Sequence, residues 1–143
     1  MNFRSYTSSD RSSCIQLLEA NTPAYFAPNE RADYVAYLDK GPTGYMVCER
    51  DEKIIAAFGF AVNGTHGRVQ WIMTSPAAQG SGMGGAMMRL VLQKAEAAGV
   101  QVIDIAASQK SAPFFAHYGA VEIKFTAAGW GPGLDRIDME LTF

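Results

Sequence analysis

The chain has 143 residues, 48% of them hydrophobic and 18% charged, with a formal net charge of −2. That length and usage make one globular domain over residues 1–143, with enough apolar surface for a single core. The weakly acidic balance carries no dense basic patch, which excludes nucleic acid as the main partner, and no apolar run reaches membrane-spanning length.

The first ten residues, MNFRSYTSSD, hold no apolar stretch of the secretory kind, so a cytoplasmic protein without a membrane partner is expected. Cys14 and Cys48 make no metal spacing, and two free thiols in a reducing compartment are the simplest reading; no metal site is expected. Residues 2–6 read as a short opening strand. Thr7-Ser8-Ser9-Asp10 is rich in N-cap types, and Ile15, Leu17 and Leu18 place a helix over residues 10–20. Thr22-Pro23 breaks it, and Tyr25, Phe26 and Pro28 form an aromatic loop. Asn29 caps a second helix through Asp39, with Ala32, Val35, Ala36 and Leu38 expected inward. Gly41-Pro42 and Gly44 mark a turn. Residues 45–49 and 54–62 are two strands joined by the polar loop Arg50-Asp51-Glu52-Lys53, and Asn63-Gly64 turns the chain toward a third.

The stretch from Val69 to Ala98 organises the chain. Val69, Trp71 and Met73 alternate with Gln70, Ile72 and Thr74, the period of a pleated strand, which Ser75-Pro76 stops. The turn Gln79-Gly80-Ser81-Gly82-Met83-Gly84-Gly85 then feeds a helix carrying Met83, Ala86, Met87, Leu90, Val91 and Ala98 at helical spacing, closed by Gly99. Clustered glycines before a helix leave main-chain N–H groups pointing outward, an anion site that side chains would block. Met88 and Leu92 form a second apolar stripe, which together with a strand-rich C-terminus ending at Phe143 points to a weakly held homodimer. Residues 100–107 are a nearly continuous apolar run, expected to be a strand covered on both faces. Ser111 caps a short helix with Pro113 in its first turn; it carries Phe114, Phe115, His117 and Tyr118 and ends at Gly119. Residues 121–125 and 137–141 are the last strands, with the loop Gly129-Trp130-Gly131-Pro132-Gly133 between them.

Gly80, Gly82 and Gly85 also spell G-x-G-x-x-G, the dinucleotide fingerprint, with Asp104 about twenty residues on. Ser75 to Gln79 separate these glycines from the strand, Asp104 lies inside the next apolar run, and too little chain follows to complete a doubly wound sheet. No Lys-Ser/Thr follows the glycines, so a Walker loop is excluded.

Gln79-x-x-Gly82-x-Gly84, after a strand ending near Pro76, resembles the coenzyme A motif of the GNAT family of N-acetyltransferases, and the mixed α/β order of elements resembles that family over essentially the whole chain. The resemblance implies a mostly antiparallel central sheet with flanking helices, split where the strands at Val69 and Val100 splay apart. It implies acetyl-CoA as co-substrate, with the pyrophosphate on the N–H groups of Gln79, Gly80, Ser81, Gly82, Met83 and Gly84, beside Gly85. Ile72, Met73 and Thr74 would pair with the pantetheine arm and polarise the thioester carbonyl. Ser108 stands where the family often has an asparagine touching pantetheine. Arg89, Lys94 and Lys110 are candidates for the adenosine-side phosphates.

Two positions depart from the family. Gln70 stands on the strand where a carboxylate base is common, and it can only orient a water. Phe114-Phe115-Ala116-His117-Tyr118-Gly119 resembles F-Y-x-x-x-G, with Phe115 where the acidic tyrosine usually sits. Tyr118, one turn on, and His117, whose ordinary pKa is near 6.5, are the substitute proton donors; His66 reads as a solvated turn residue. The family's acceptor pocket corresponds to Tyr25, Phe26, Asn29, Glu30 and Asp33 with Trp130 to Asp135, where aromatics with acids suit an amine, whether small molecule or protein. Acetyl transfer from acetyl-CoA to an amine in a ternary complex is the expected activity. The missing tyrosine and carboxylate motivate the alternative of a non-catalytic acyl-CoA-binding module.

Overall fold

The structure is a computed structural model that describes residues 2–143. The chain runs β1 (Phe3–Ser5), α1 (Arg11–Ala20), α2 (Glu30–Asp39), β2 (Tyr45–Arg50), β3 (Lys53–Asn63), β4 (His66–Thr74), α3 (Met83–Ala97), β5 (Val102–Ala107), α4 (Ala112–His117), β6 (Val121–Gly131) and β7 (Leu134–Thr142). The seven strands form one sheet in the order β1-β2-β3-β4-β5-β7-β6, antiparallel throughout except for the parallel pair β4 and β5. Each face of the sheet carries its own core. Helix α3 buries Met83, Met87, Met88, Val91 and Ala95 against Phe58, Ile103 and Met139 on one face. On the other, Cys14, Leu18, Tyr34 and Leu38 of α1 and α2 meet Tyr45, Val47 and Met73. Among the described residues no helix is long and apolar enough to cross a membrane.

Several sequence expectations are corrected by packing. In α2, Ala32 and Ala36 are exposed, while Glu30, Tyr34 and Leu38 are buried. The tyrosine ring can go inside because its hydroxyl meets the Tyr45 hydroxyl at 2.7 Å, so the true inward ridge is not purely aliphatic. The first hairpin loop is two residues, Asp51 and Glu52, with φ of 52° and 66°. Two positive φ values match the turn to the twist of the strands, which therefore extend through Arg50 and Lys53. β6 continues to Gly131, through much of the expected loop, and β7 rejoins it at Gly131 opposite Leu134 after an irregular stretch beyond Thr126. β5 is buried only at alternate residues, Ile103, Ile105 and Ala107, not on both faces. Met88 is fully buried and Leu92 is packed against the same core, so the stripe that suggested a dimer belongs to the interior of the monomer.

The alternation expected in β4 is broken at one place. Ala57 faces Met73 and Gly59 faces Gln70, so Trp71 and Ile72 together oppose Phe58 alone. Trp71 is the bulged residue, with φ +46°. Gln70 and Trp71 consequently both meet the α2 layer, at Tyr37 and Tyr34, whereas Ile72 packs on the opposite core.

The three-residue strand β1 is tied to the start of α1 by Arg4, whose guanidinium donates to both oxygens of Asp10 at 2.8 Å. Asp10 also accepts from the Thr7 N–H at 2.9 Å. These bonds, the one from Arg4 first, hold the Asp10 carboxyl below the usual range. A depressed carboxyl stabilises the fold fully above its unfolded value, about 3.9, and the contribution is lost as pH falls through the folded value. Asp10→Asn should therefore lose on the order of 2 kcal/mol at neutral pH. Urea unfolding from pH 6 to pH 2.5 should show this difference shrinking on the acid side.

Candidate active site

β4 and β5 pair only at His66 with Val102, Gly67 with Ile103 and Arg68 with Asp104. Beyond Arg68 they diverge around a cavity of about 650 Å³, walled by residues 69–74 and 105–108. At one end lies the glycine turn. Gly80 and Gly82 take φ of +81° and +85°, a left-handed backbone that side chains disfavour. Helix α3 begins directly after, and the N–H groups of Gly80, Gly82, Met83, Gly84 and Gly85 find no acceptor among the described residues. A Cβ on Gly84 would stand 3.0 Å from the Phe114 ring, so glycine is what lets the first turn of α3 lie against α4. The result is a cradle of main-chain donors at the positive end of a fifteen-residue helix, suited to a pyrophosphate.

Of the residues expected to bind cofactor, Ile72, Met73, Thr74, Gln79, Gly80, Gly82, Met83, Gly84, Gly85, Ser108 and Phe115 line the cavity. Ser81 does not: its N–H donates to the Ala78 carbonyl at 3.3 Å, and its hydroxyl turns back onto the same oxygen. The Gln79 N–H is likewise spent, on Pro76. Of the three phosphate candidates, Lys110 lines the cavity and Arg89 and Lys94 do not. Gln70 lines it and accepts from the Tyr37 hydroxyl at 3.3 Å, which leaves its amide N–H groups to orient a ligand or water. Burial pushes Tyr37 up to about 12, so it stays a donor. His117 and Tyr118 do not line the cavity. His117 is exposed, and Tyr118 is half-buried against Phe114 with its hydroxyl over Gly85.

At the other end, Tyr25, Phe26, Glu30 and Trp130 line the cavity together with Asn21, Arg68 and Arg136, three residues that the sequence did not single out. Phe26 stacks on Trp71 with ring centroids 6.0 Å apart. Trp130 is pinned on both sides: its indole N–H donates to the Ala107 carbonyl at 2.9 Å, and its own carbonyl accepts from Asn29 at 2.8 Å. Arg136 lies 4.8 Å over the indole and bonds to Asp138. Asn29 therefore positions the wall without joining it, and Asp33 is exposed outside. Arg136 was missed because its place depends on the long β6–β7 hairpin. Among the described residues no three His, Cys, Asp or Glu side chains gather as a metal set.

No curated protein matches the chain at the sequence level. Solved structures match its fold over nearly its full length. A GNAT-family protein from Desulfovibrio desulfuricans superposes with a TM-score of 0.80 at 20% identity, covering 99% of this chain and 98% of its own. Rv2747 from Mycobacterium tuberculosis, solved in complex with CoA, gives 0.76 at 18% identity, covering 100% and 99%. YncA from Salmonella typhimurium, solved with its cofactor acetyl-CoA, gives 0.70 at 18%, covering 99% and 93%. The sequence profile of the Acetyltransferase (GNAT) family matches residues 14–120. Spanning the glycine turn and both strands that open around it, that match makes the chain a member of the GNAT family of acetyltransferases.

Proposed function

We propose that this protein transfers an acetyl group from acetyl-CoA to an amine by direct attack within a ternary complex. The observation that carries the reading is the continuity of the cavity, which runs from the free N–H turn, past the open edge of β4, to the aromatic end with its one carboxylate. The turn would hold the pyrophosphate. The edge of β4 at residues 72–74 would align the pantetheine amides and point main-chain N–H groups at the thioester oxygen, where charge develops during attack. Acetyl-CoA supplies the acyl group and a thiolate leaving group. Direct transfer is favoured over an acyl-enzyme because no thiol lines the cavity. Cys14 and Cys48 are buried elsewhere, and desolvation pushes the Cys14 thiol up to about 11, far from a thiolate at neutral pH. Rv2747 and YncA, solved with CoA and acetyl-CoA, support the cofactor assignment by analogy of fold. A cytoplasmic setting accords with the two free thiols.

One observation favours the second reading, a non-catalytic acyl-CoA-binding module: the cavity offers Phe115 and Gln70 where a proton donor and a base would stand. Release of CoA in the presence of an amine panel separates the two. Acetyl-CoA should raise the melting temperature, by about 2.7 kcal/mol of stabilisation at a hundredfold excess over its dissociation constant, and NAD should not. Gly82→Val should abolish that shift while the apo protein still folds. A shift with NAD alone would overturn the assignment.

Phe115 is buried but its ring lines the cavity. Phe115→Tyr should therefore leave acetyl-CoA affinity unchanged and raise turnover of a good acceptor, while Tyr118→Phe should change little. A general acid typically contributes about 10²–10⁴-fold. Against a thiol with a pKa near 8.5 the gain is expected at the lower end. Steady-state kinetics of the two variants would measure it.

A homodimer through β6 is the partner arrangement proposed in place of the buried α3 stripe. Val121, Ile123 and Phe125 on this edge strand are each more than half exposed. An antiparallel approach of two copies centred on Ile123 brings Glu122 of each toward Lys124 of the other, a self-complementary pattern. Light scattering should show a dimer at high micromolar concentration that Phe125→Lys converts to monomer; a wild-type monomer at that concentration would remove the proposal.

A further inference from the structure

Glu30 is the one carboxylate among the side chains that line the cavity. It is only 6% exposed. One of its oxygens accepts the Ala27 N–H at 2.7 Å, a bond that closes the loop before α2. Its other oxygen has no hydrogen-bond partner among the described residues, and no cation lies within ion-pair distance of it. That oxygen is not sealed in protein, because no fully buried side-chain oxygen or nitrogen is left without a partner. Its open side is the cavity. The same cavity wall carries aromatic faces, Phe26 stacked on Trp71 and, from the β6–β7 hairpin, Trp130. A buried carboxylate without a counter-ion is unfavourable unless a cation arrives or a proton is taken up. A site of this kind is completed by an ammonium, which an anion and an indole face both attract.

We propose that Glu30 receives the ammonium of the acceptor at the aromatic end of the cavity and takes its proton, so that the acceptor is an aliphatic, cationic amine held against Phe26 and Trp71. The assignment rests on the transfer reading above and deepens it. One proton passes from the ammonium to Glu30. The freed lone pair forms the C–N bond at the thioester carbonyl, the C–S bond breaks, and a second nitrogen proton accompanies the thiolate to give coenzyme A. Glu30 then returns its proton to solvent. Burial holds the Glu30 carboxyl above the usual range, with Asp33 on the same helix adding to the effect. The other titratable side chains on the cavity wall are Tyr25 from the α1–α2 loop, Arg68 from β4, Lys110 after β5 and Arg136 from β7, the last already bonded to Asp138. A raised carboxyl is a stronger base at neutral pH than an exposed one.

Glu30→Gln is the informative substitution, because the glutamine oxygen can still accept the Ala27 N–H and keep the loop closed. The wild-type protein is first assayed with acetyl-CoA against a panel of alkylamines, polyamines and lysine-containing peptides, and the best acceptor is carried forward. At pH 7 the variant should lose about 10²–10³-fold in kcat/KM for that amine, at unchanged acetyl-CoA affinity by thermal shift. The deficit should shrink as pH approaches the pKa of the amine itself, where the acceptor no longer needs a base. A loss below threefold, or a loss equally large at every pH, would overturn the role of Glu30 while leaving the transfer reading in place. A wild-type protein that binds acetyl-CoA and acetylates no amine would remove both.

Discussion

The site depends on one extra residue in β4. Trp71 occupies a left-handed backbone conformation, which for a residue with a side chain is unfavourable by about 1–2 kcal/mol. What holds it is a buried hydroxyl chain. Tyr45 donates to the Trp71 carbonyl at 2.9 Å, so the hydrogen between the two tyrosines, 2.7 Å apart, must come from Tyr34. Burial pushes both phenols far above their ordinary pKa, so they remain donors at any pH at which the protein is folded. Two buried hydrogen bonds of about 1 kcal/mol each are of the right size to offset the strain. The bulge lies three residues beyond the last β4–β5 pairing at Arg68, and it bends β4 within the stretch that walls the cavity.

The cavity is electrically polar from end to end. At the α3 end the protein presents only N–H groups and the positive end of a helix, so the favoured guest is an anion. At the α2 end it presents aromatic faces, the Glu30 carboxylate and the guanidiniums of Arg68 and Arg136, the latter already held by Asp138. The two ends are joined by the edge of β4, whose main-chain groups on the β5 side are free of strand pairing beyond Arg68. On the proposed function, the polyanionic end of the thioester would enter at the α3 end and the amine at the α2 end, beside Glu30. The reacting carbon would fall between the two ends, beside the bulge.

The glycine turn and the order of elements were legible because each rests on local chemistry: clustered glycines, a stopping proline and helical spacing from Met83 onward. Legibility failed where a residue's place is set by something distant in sequence. Met88 looked like a surface stripe because apolar periodicity does not say how broad a buried face is, and α3 is buried across nearly half its circumference. Tyr34 was passed over for Ala32 and Ala36 because its burial depends on a hydroxyl partner in β2. Ser81 was counted as a phosphate donor because the motif says nothing of which N–H groups the turn uses for itself. The bulge at Trp71 is invisible in a pattern that alternates correctly on paper. Arg136 and Trp130 reach the cavity only through a hairpin whose length no turn signal announced.

The displacement of the base from strand to helix, on the proposed assignment, has a physical consequence. A carboxylate on a strand is fixed by the pleat, and its environment changes little when substrate binds. Glu30 sits instead in the first turn of α2, where the helix dipole and the Ala27 N–H favour its charged form while burial disfavours it, and burial prevails. The balance is adjustable, because the loop over it is only partly packed: Tyr25 is 40% exposed and Phe26 is half-buried. An acceptor lying against those rings excludes water from the same volume. The exclusion raises the proton affinity of Glu30 just as an ammonium reaches it, and it also makes the charged ammonium less stable than the neutral amine. On that assignment both changes work against the attraction of the ammonium for the carboxylate, which favours the charged pair, and move the proton toward Glu30.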